Sequence, residues 1–168
     1  MRALKYIFLF LFIMSAGLAS AQNQQARKYN DKIITEQHNI ASKMVKFFKT
    51  FKAASLDDLK KQRASLIAQI DKSMAKVKAM DGFENDTKLR DGALEILGFY
   101  KSTLEKEYNE MIQLIANRSR SKADNETLEK YKNDLISRED EMDNKFAKIQ
   151  EDFAARHKLI LQKHEIKQ

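Results

Sequence analysis

Residues 88–116 read KLRDGALEILGFYKSTLEKEYNEMIQLIA, and their spacing decides the fold. Leu89, Ala93, Leu97, Tyr100, Leu104, Tyr108, Met111 and Ile115 recur at steps of three and four. An α-helix completes a turn in about 3.6 residues, so this spacing lines one face of a helix with apolar side chains. The same period runs on to either side. Upstream, Tyr29 leads a run of Ile33, Ile40, Met44, Phe47 and Phe51, and a second run carries Leu59, Leu66, Ile70, Met74 and Val77. Downstream come Leu128, Tyr131, Leu135, Met142, Phe146, Ile149, Phe153 and Ile160. No stretch alternates with period two. The chain has no proline and only four glycines in 168 residues, too few for the turn every ~8–12 residues that a sandwich or barrel demands. These patterns predict an all-α protein.

The gaps between runs carry the chemistry of helix ends. Ser55-Leu56-Asp57-Asp58 places a hydroxyl before two carboxylates, and Asn85-Asp86-Thr87 and Ser121 to Asp124 repeat the idea. Short polar side chains accept from the unpaired N–H groups of a first turn. Asp81-Gly82 offers a glycine for a left-handed helix end. Lysines cluster at the ends of the first two runs and acids at the starts of the later three, which complements the helix dipole. Short connections make consecutive helices antiparallel, so the expected architecture is one elongated up-down four-helix bundle over residues 22–168. Three further expectations concern its details. Ser137 to Glu141 interrupts the fourth stripe between Leu135 and Met142, which predicts a bend or a change of partner there. The tail from Ala154 to Gln168 is expected to overhang, with Leu159-Ile160-Leu161 as an exposed apolar spot. Gly92 and Gly98 inside the third helix each cost ~1 kcal/mol against alanine, which predicts close approach of a neighbour at both.

Residues 1–21 read as a secretory signal peptide. Arg2 and Lys5 precede the apolar run Tyr6 to Met14, and Ala19-Ser20-Ala21 is a small-x-small site cut after Ala21. Tyr6 to Ala19 is fourteen residues, against ~20 for a bilayer-spanning helix. The formal charge of +7 (31 Lys+Arg, 24 Asp+Glu) falls to +5 once Arg2 and Lys5 are removed. The expected location is outside the cytoplasm, in the periplasm or on the outer cell surface.

Composition and motifs exclude most chemistry. With no cysteine there is no disulfide, no thiol nucleophile, no Cys-ligated metal and no Cys-x-x-Cys-His for covalent haem. His38, His157 and His164 follow Thr35, Ala154 and Leu161 by three residues, so none completes the Glu-x-x-His of a di-iron bundle. His157 and His164 share the apolar face of the fourth run, and a rim or neighbour-bonded histidine is the simpler reading. Glu139-Asp140-Glu141-Met142-Asp143 lacks the alternating ligands and central glycine of a calcium loop and reads as a solvated face. There is no Gly-x-Ser-x-Gly, no phosphate-cradling glycine loop and no His-Glu-x-x-His. No catalytic, cofactor-binding or metal-ligating residue is expected, and no enzyme.

One stretch has two readings. Lys43, Lys46, Lys49 and Lys52 interleave with Phe47, Phe48 and Phe51. They form either a surface for anionic partners, with aromatics dipping in, or a helix end with Phe47 and Phe51 in the core beside lysine stems. The second satisfies the stripe and the dipole together. An exported protein has no call for nucleic acid, so any such contact is with an anionic surface and is weak.

Tyr29-Asn30-Asp31-Lys32-Ile33-Ile34-Thr35-Glu36-Gln37 and the longer stretch from Asp86-Thr87-Lys88-Leu89-Arg90-Asp91 through Phe99-Tyr100-Lys101 to Tyr108-Asn109-Glu110-Met111 resemble a family of uncharacterised exported all-helical surface proteins of Gram-negative bacteria. The resemblance spans nearly all of the chain after residue 21. It implies a cell-envelope location and carries over no activity and no site residue. Some members are lipoproteins, and this chain departs there, having no cysteine to acylate. The functional expectation is an exported, non-catalytic envelope protein that works through a protein partner. A periplasmic holdase-type chaperone is the alternative, though the β-rich oligomerisation segment of the basic periplasmic chaperones is missing. A small-ligand or non-covalent haem bundle is a third reading.

Overall fold

The computed structural model describes residues 9–14, 21–50, 55–117 and 119–165. Five helices follow one another: α1 (Ala21–Thr50), α2 (Leu56–Lys78), α3 (Lys88–Glu105), α4 (Glu107–Ala116) and α5 (Lys122–Arg156). α3 and α4 are one rod broken at Lys106, so the architecture is a four-rod, all-α bundle. Two short strands, β1 (Leu9–Met14) and β2 (Ile160–Glu165), pair antiparallel as a ribbon, with Leu9 opposite Glu165 and Met14 opposite Ile160. β1 lies inside the expected leader, and α1 begins at the last residue before the expected cut. An unbroken apolar run of six residues suits either a strand or a helix by pattern alone, which is why alternation did not reveal β1.

The rods alternate in direction, as residue pairs across each seam show. Glu36 of α1 meets Lys76 of α2, while Lys43 meets Ser65. Asp71 of α2 meets Lys101 of α3, and Arg63 meets Leu104. Tyr100 and Tyr108 meet Asp143 and Glu139 of α5. Numbers rise on one side as they fall on the other, the mark of antiparallel packing. α1 packs on α2, α2 on α3, and α5 on both α3 and α4. α1 and α5 keep their backbones apart and are bridged by side chains, with Tyr29 against Phe153 and Asn30 bonded to Gln150.

The predicted stripes form the core. Ile33, Ile40, Met44 and Phe47 of α1, Leu59, Leu66, Ile70 and Val77 of α2, Leu89, Leu97 and Leu104 of α3, and Tyr108 of α4 are buried together with Leu135, Phe146 and Phe153 of α5. Phe51 lies outside the described residues. Helix starts follow their capping residues. Ser55 Oγ accepts from the Asp58 N–H at 3.2 Å. Ser121 and Asp124 form a reciprocal capping box, which satisfies two orphan donors at once.

The turn between α2 and α3 corrects one expectation. α2 closes at Ala79, and the left-handed residues are Glu84 (φ 51°) and Asn85 (φ 66°) rather than Gly82. Phe83 and Asp86 exchange both backbone hydrogen bonds at 2.9 Å around that two-residue tip. α3 then starts at Lys88, whose N–H reaches Asp86 Oδ1 at 2.9 Å. The tight reverse turn, and not a helix C-cap, sets the reversal.

The C-terminal end corrects another. α5 is the longest helix at 35 residues, about 52 Å, but it stops at Arg156 and does not run on to overhang. Lys158 adopts φ 53°, and the Leu159 N–H bonds Ala154 O at 2.9 Å while the Lys158 N–H bonds Ala155 O at 3.3 Å. That pair of bonds is a Schellman closure. It turns Leu159 back onto the core, where it is buried, and leaves Ile160 half exposed at 52%. The expected exposed trio is thus divided.

The two glycines of α3 differ in kind. A Cβ on Gly92 would stand 2.7 Å from Ile149 Cδ1, so α5 does approach closely there. A Cβ on Gly98 would find only Met74 Cε at 4.0 Å, ordinary contact, so the expected close approach is absent at that position. Gly98→Ala should therefore stabilise the protein by about 0.5–1 kcal/mol, through lost freedom of the unfolded chain and better helix propensity. Chemical denaturation of the two proteins measures it. Phe47, fully buried against Tyr108 with ring centroids 5.6 Å apart, should respond oppositely. Phe47→Ala should cost ~3–5 kcal/mol by the same measurement, whereas a surface aromatic would leave the midpoint unmoved.

Candidate functional site

The break at Lys106 is the place where the sequence departs from plain helix packing. Lys106 has φ −104° and ψ −86°, which interrupts the rod between α3 and α4. A broken helix leaves carbonyls without intrahelical donors. Arg63 of α2 reaches across to take one of them, its Nη1 donating to Leu104 O at 2.9 Å. On the other side Arg138 of α5 donates to Glu107 Oε1 at 2.6 Å, at the first residue of α4.

The gap in the α5 stripe faces this break. α5 runs through Ser137 to Glu141 as one helix, and the expected change of partner occurs there, Glu139 meeting Tyr108 of α4 and Asp143 meeting Tyr100 of α3. Glu139 fills the vacant step, at 9% exposure. The Tyr108 hydroxyl on α4 donates to Glu139 Oε1 at 3.3 Å. One turn further along α5, Asp143 Oδ1 accepts from the Tyr100 hydroxyl on α3 at 2.7 Å. Each half of the broken rod is thus tied to α5 by a tyrosine–carboxyl bond.

Burial governs the charge of this cluster. Loss of water pushes Glu139 up from 4.5 to about 8, with the nearby Asp143 adding to it and the Tyr108 bond opposing it. Asp143 is pushed up from 3.8 to about 6 by burial, against the Tyr100 bond that favours its ionised form. Tyr100, fully buried and facing Asp143, is held well above the ordinary phenol range. Glu139 is therefore a neutral acid at pH 7 while Asp143 is mostly ionised. The reading of residues 139–143 as a solvated face holds for Asp140 and Glu141, which are exposed, and fails for Glu139 and Asp143. The missed signal was periodic. Leu135, Glu139, Met142 and Phe146 are spaced four, three and four, so Glu139 occupies a core position of the stripe.

Raised carboxyl pKa values are also what acid–base catalysis uses. Neither acid lines the surface groove of about 350 Å³ that Lys88, Asp91, Gly92, Glu95, Ile149, Asp152 and Arg156 form between α3 and α5. That groove mixes both signs of charge, and its ends are tied by Arg156 to Asp86 and by Lys145 to Glu95. The acids hold helices together, and the groove has no buried polar group converging on it among its lining residues. Among the described residues no three His, Asp or Glu side chains cluster as metal ligands. His157 caps α5 and is packed between the rings of Phe83 and Phe153, at 4.9 and 4.6 Å. His164 lies in β2 with its side chain outside the described residues, so no pair is formed by what is seen.

The lysine–phenylalanine stretch resolves into its two parts. Phe47 is core and Phe48 is half-buried against it at 5.4 Å, so neither dips outward. Lys46 and Lys49 are exposed, and Lys43 is half-buried with its Nζ on Ser65 Oγ at 2.9 Å. Lys52 lies outside the described residues. Lys60 and Lys61, in the first turns of α2, are also exposed. Residues 43–63 hold seven Lys and Arg against two acids, Asp57 and Asp58. The net +5 of that short segment equals the whole net charge expected for residues 22–168. The excess charge is thus concentrated in one short segment of the sequence, and the charges outside it balance.

Comparison with protein-family models, with curated proteins and with solved structures returned no match for this chain.

Among the described residues no helix is long and apolar enough to cross a membrane.

The Tyr100–Asp143 bond yields a direct check. Tyr100→Phe removes the donor that favours the ionised carboxyl, so the Asp143 midpoint should rise above about 6, and stability should fall by about 1–2 kcal/mol. Carboxyl ¹³C shifts followed through pH read the first effect, and urea denaturation the second.

Proposed function

We propose that this chain is an exported, non-catalytic interaction module of the cell envelope, acting in the periplasm or at the outer surface after cleavage at Ala21. The observation that carries the reading is the division of labour in the bundle. Its perturbed acids are bonded to tyrosines between helices, and its excess positive charge is concentrated in residues 43–63. An envelope partner is the expected ligand of the helical body. The exposed Lys46, Lys49, Lys60 and Lys61 are suited to anionic surfaces, since +5 over twenty-one residues raises the local concentration of anions at low salt. The resemblance to exported helical surface proteins supports the same location.

A holdase draws less support from the surface. A chaperone for unfolded chains needs exposed apolar area, and Ile160 is the large apolar side chain left open among the described residues. Cross-linking in intact cells followed by immunoprecipitation tests the main reading, and a reproducible envelope protein is the expected product. Recovery of this chain alone would count against it. Lys46→Glu, Lys49→Glu, Lys60→Glu and Lys61→Glu combined should also abolish sedimentation with anionic phosphatidylglycerol vesicles, with zwitterionic vesicles binding neither protein. Equal sedimentation of wild type and variant would remove the basic end from the proposal.

A further inference from the structure

α4 has only ten residues, too few for a helix to persist without packing. It joins α3 through the broken turn at Lys106, and its hold on the bundle comes from neighbours. Phe47 and Phe48 of α1 pack on Tyr108, at 5.6 Å each. α5 supplies Glu139 to Tyr108 and Arg138 to Glu107. The Glu139 carboxyl is the buried member of that set, and Asp143 stands one turn away on the same face.

We propose that Glu139 and Asp143 act as a proton-operated latch on α4: the α4–α5 seam is closed while the pair carries at most one negative charge, and opens when both are ionised. The groups facing the pair offer a second charge little direct support. α3 presents Tyr100 and α4 presents Tyr108 and Glu107, none of them cationic. On α5, Asp140 adds repulsion, and the guanidinium of Arg138, bonded to Glu107 and Asp134, offsets it only in part. α1 contributes the apolar rings of Phe47 and Phe48 against Tyr108. α2 contributes Arg63, whose Nη1 is spent on Leu104 O. Among the described residues no cation bonds either carboxyl directly, so the second carboxylate gains most by reaching water, and the short α4 is the element free to move aside. Opening bares Tyr108, Met111 and Ile112, which are buried when the seam is closed.

The direction with pH follows from the raised midpoints. Between 4.5 and about 8 an unfolded or opened Glu139 gives up its proton while the closed form keeps it. Asp143 behaves alike between 3.8 and about 6. Opening releases protons, so the closed state is fully favoured at acid pH and weakens as pH rises through these windows, with the whole loss reached above about 8. The latch concerns the packing of α4 and stands apart from the envelope reading.

Amide hydrogen exchange on the full chain at pH 6 and pH 9, corrected for the intrinsic pH dependence, tests it. The expected result is that residues 107–116 lose protection on the order of tenfold more than α2, since even one pH unit of linked proton release is a factor of ten. Glu139→Gln keeps an acceptor for Tyr108 and removes the charge, so it should abolish that selective loss. Parallel decline in α2 and α4, or an unchanged response in the variant, overturns the latch. Carboxyl ¹³C titration of wild-type Glu139 needs no variant, and a midpoint below 6 overturns it too. Should Glu139→Gln fail to fold by circular dichroism, Asp143→Asn serves in its place. It removes the neighbouring charge and should reduce the pH 9 loss of α4 protection, and no reduction overturns the proposal.

Discussion

Tyr108 stands where three rods meet, and the middle of the molecule is arranged around it. Its ring lies against Phe47 and Phe48 of α1, and its hydroxyl reaches Glu139 on α5. It belongs to α4, two residues past the break at Lys106. Tyr108 follows Leu104 by four residues and stays on the stripe across the break, where it fills the space opposite the α5 gap. Buried hydroxyls require partners, so a tyrosine at this junction calls for an acceptor from α5, and Glu139 is that acceptor. The buried tyrosine and the buried acid are two sides of one packing solution.

The other seams have a comparable polar tie. Between α1 and α2, Glu36 is buried and accepts from Ser73 Oγ at 2.8 Å and Lys76 Nζ at 2.6 Å. Burial would raise its pKa, yet these two bonds outweigh burial and hold it below the usual range. Between α1 and α5, Asn30 accepts from Gln150 at 3.3 Å, both fully buried. Between α2 and α3, Arg63 takes the Leu104 carbonyl. Glu36 and Glu139 make an instructive pair. Both are glutamates on core stripes, and they differ in whether a cation bonds them directly, so one is held charged and the other neutral.

The stripes themselves were legible because they obey a single period. Every run read from the sequence became a rod, and Ser55 and Ser121 cap the helices they precede. What escaped reading depends on the partner rather than the segment. Glu139 sits in a cluster of five polar and charged residues whose local composition says solvent, while its phase relative to Leu135 and Phe146 says core. Phase is the stronger evidence, because a helix cannot choose which residue occupies its inner face. The break at Lys106 left no mark in a third run of unusual regularity. Likewise Gly92 and Gly98 look alike in sequence, and only Ile149 on the facing helix distinguishes them. The end of α5 was hidden differently, by a lysine in the left-handed position where glycine would have announced the stop.

Polar ties of this kind offer little net stability, because well-packed apolar side chains of similar volume hold a core equally well or better. What they add here is register. Antiparallel rods whose stripes repeat every three or four residues can slide by one turn and still bury apolar faces. Sliding α5 by a turn against α3 would move Asp143 off Tyr100 and Glu139 off Tyr108 together, leaving buried polar groups unpaired at about 1–3 kcal/mol apiece. The same slip on α1–α2 would strand Glu36, and on α1–α5 it would part Asn30 from Gln150. The ties lie at separate heights along the bundle, so no single shift relieves them all. A long bundle of repetitive helices thereby has one alignment, and the acids that fix it at the break are also the groups whose charge the surroundings control most.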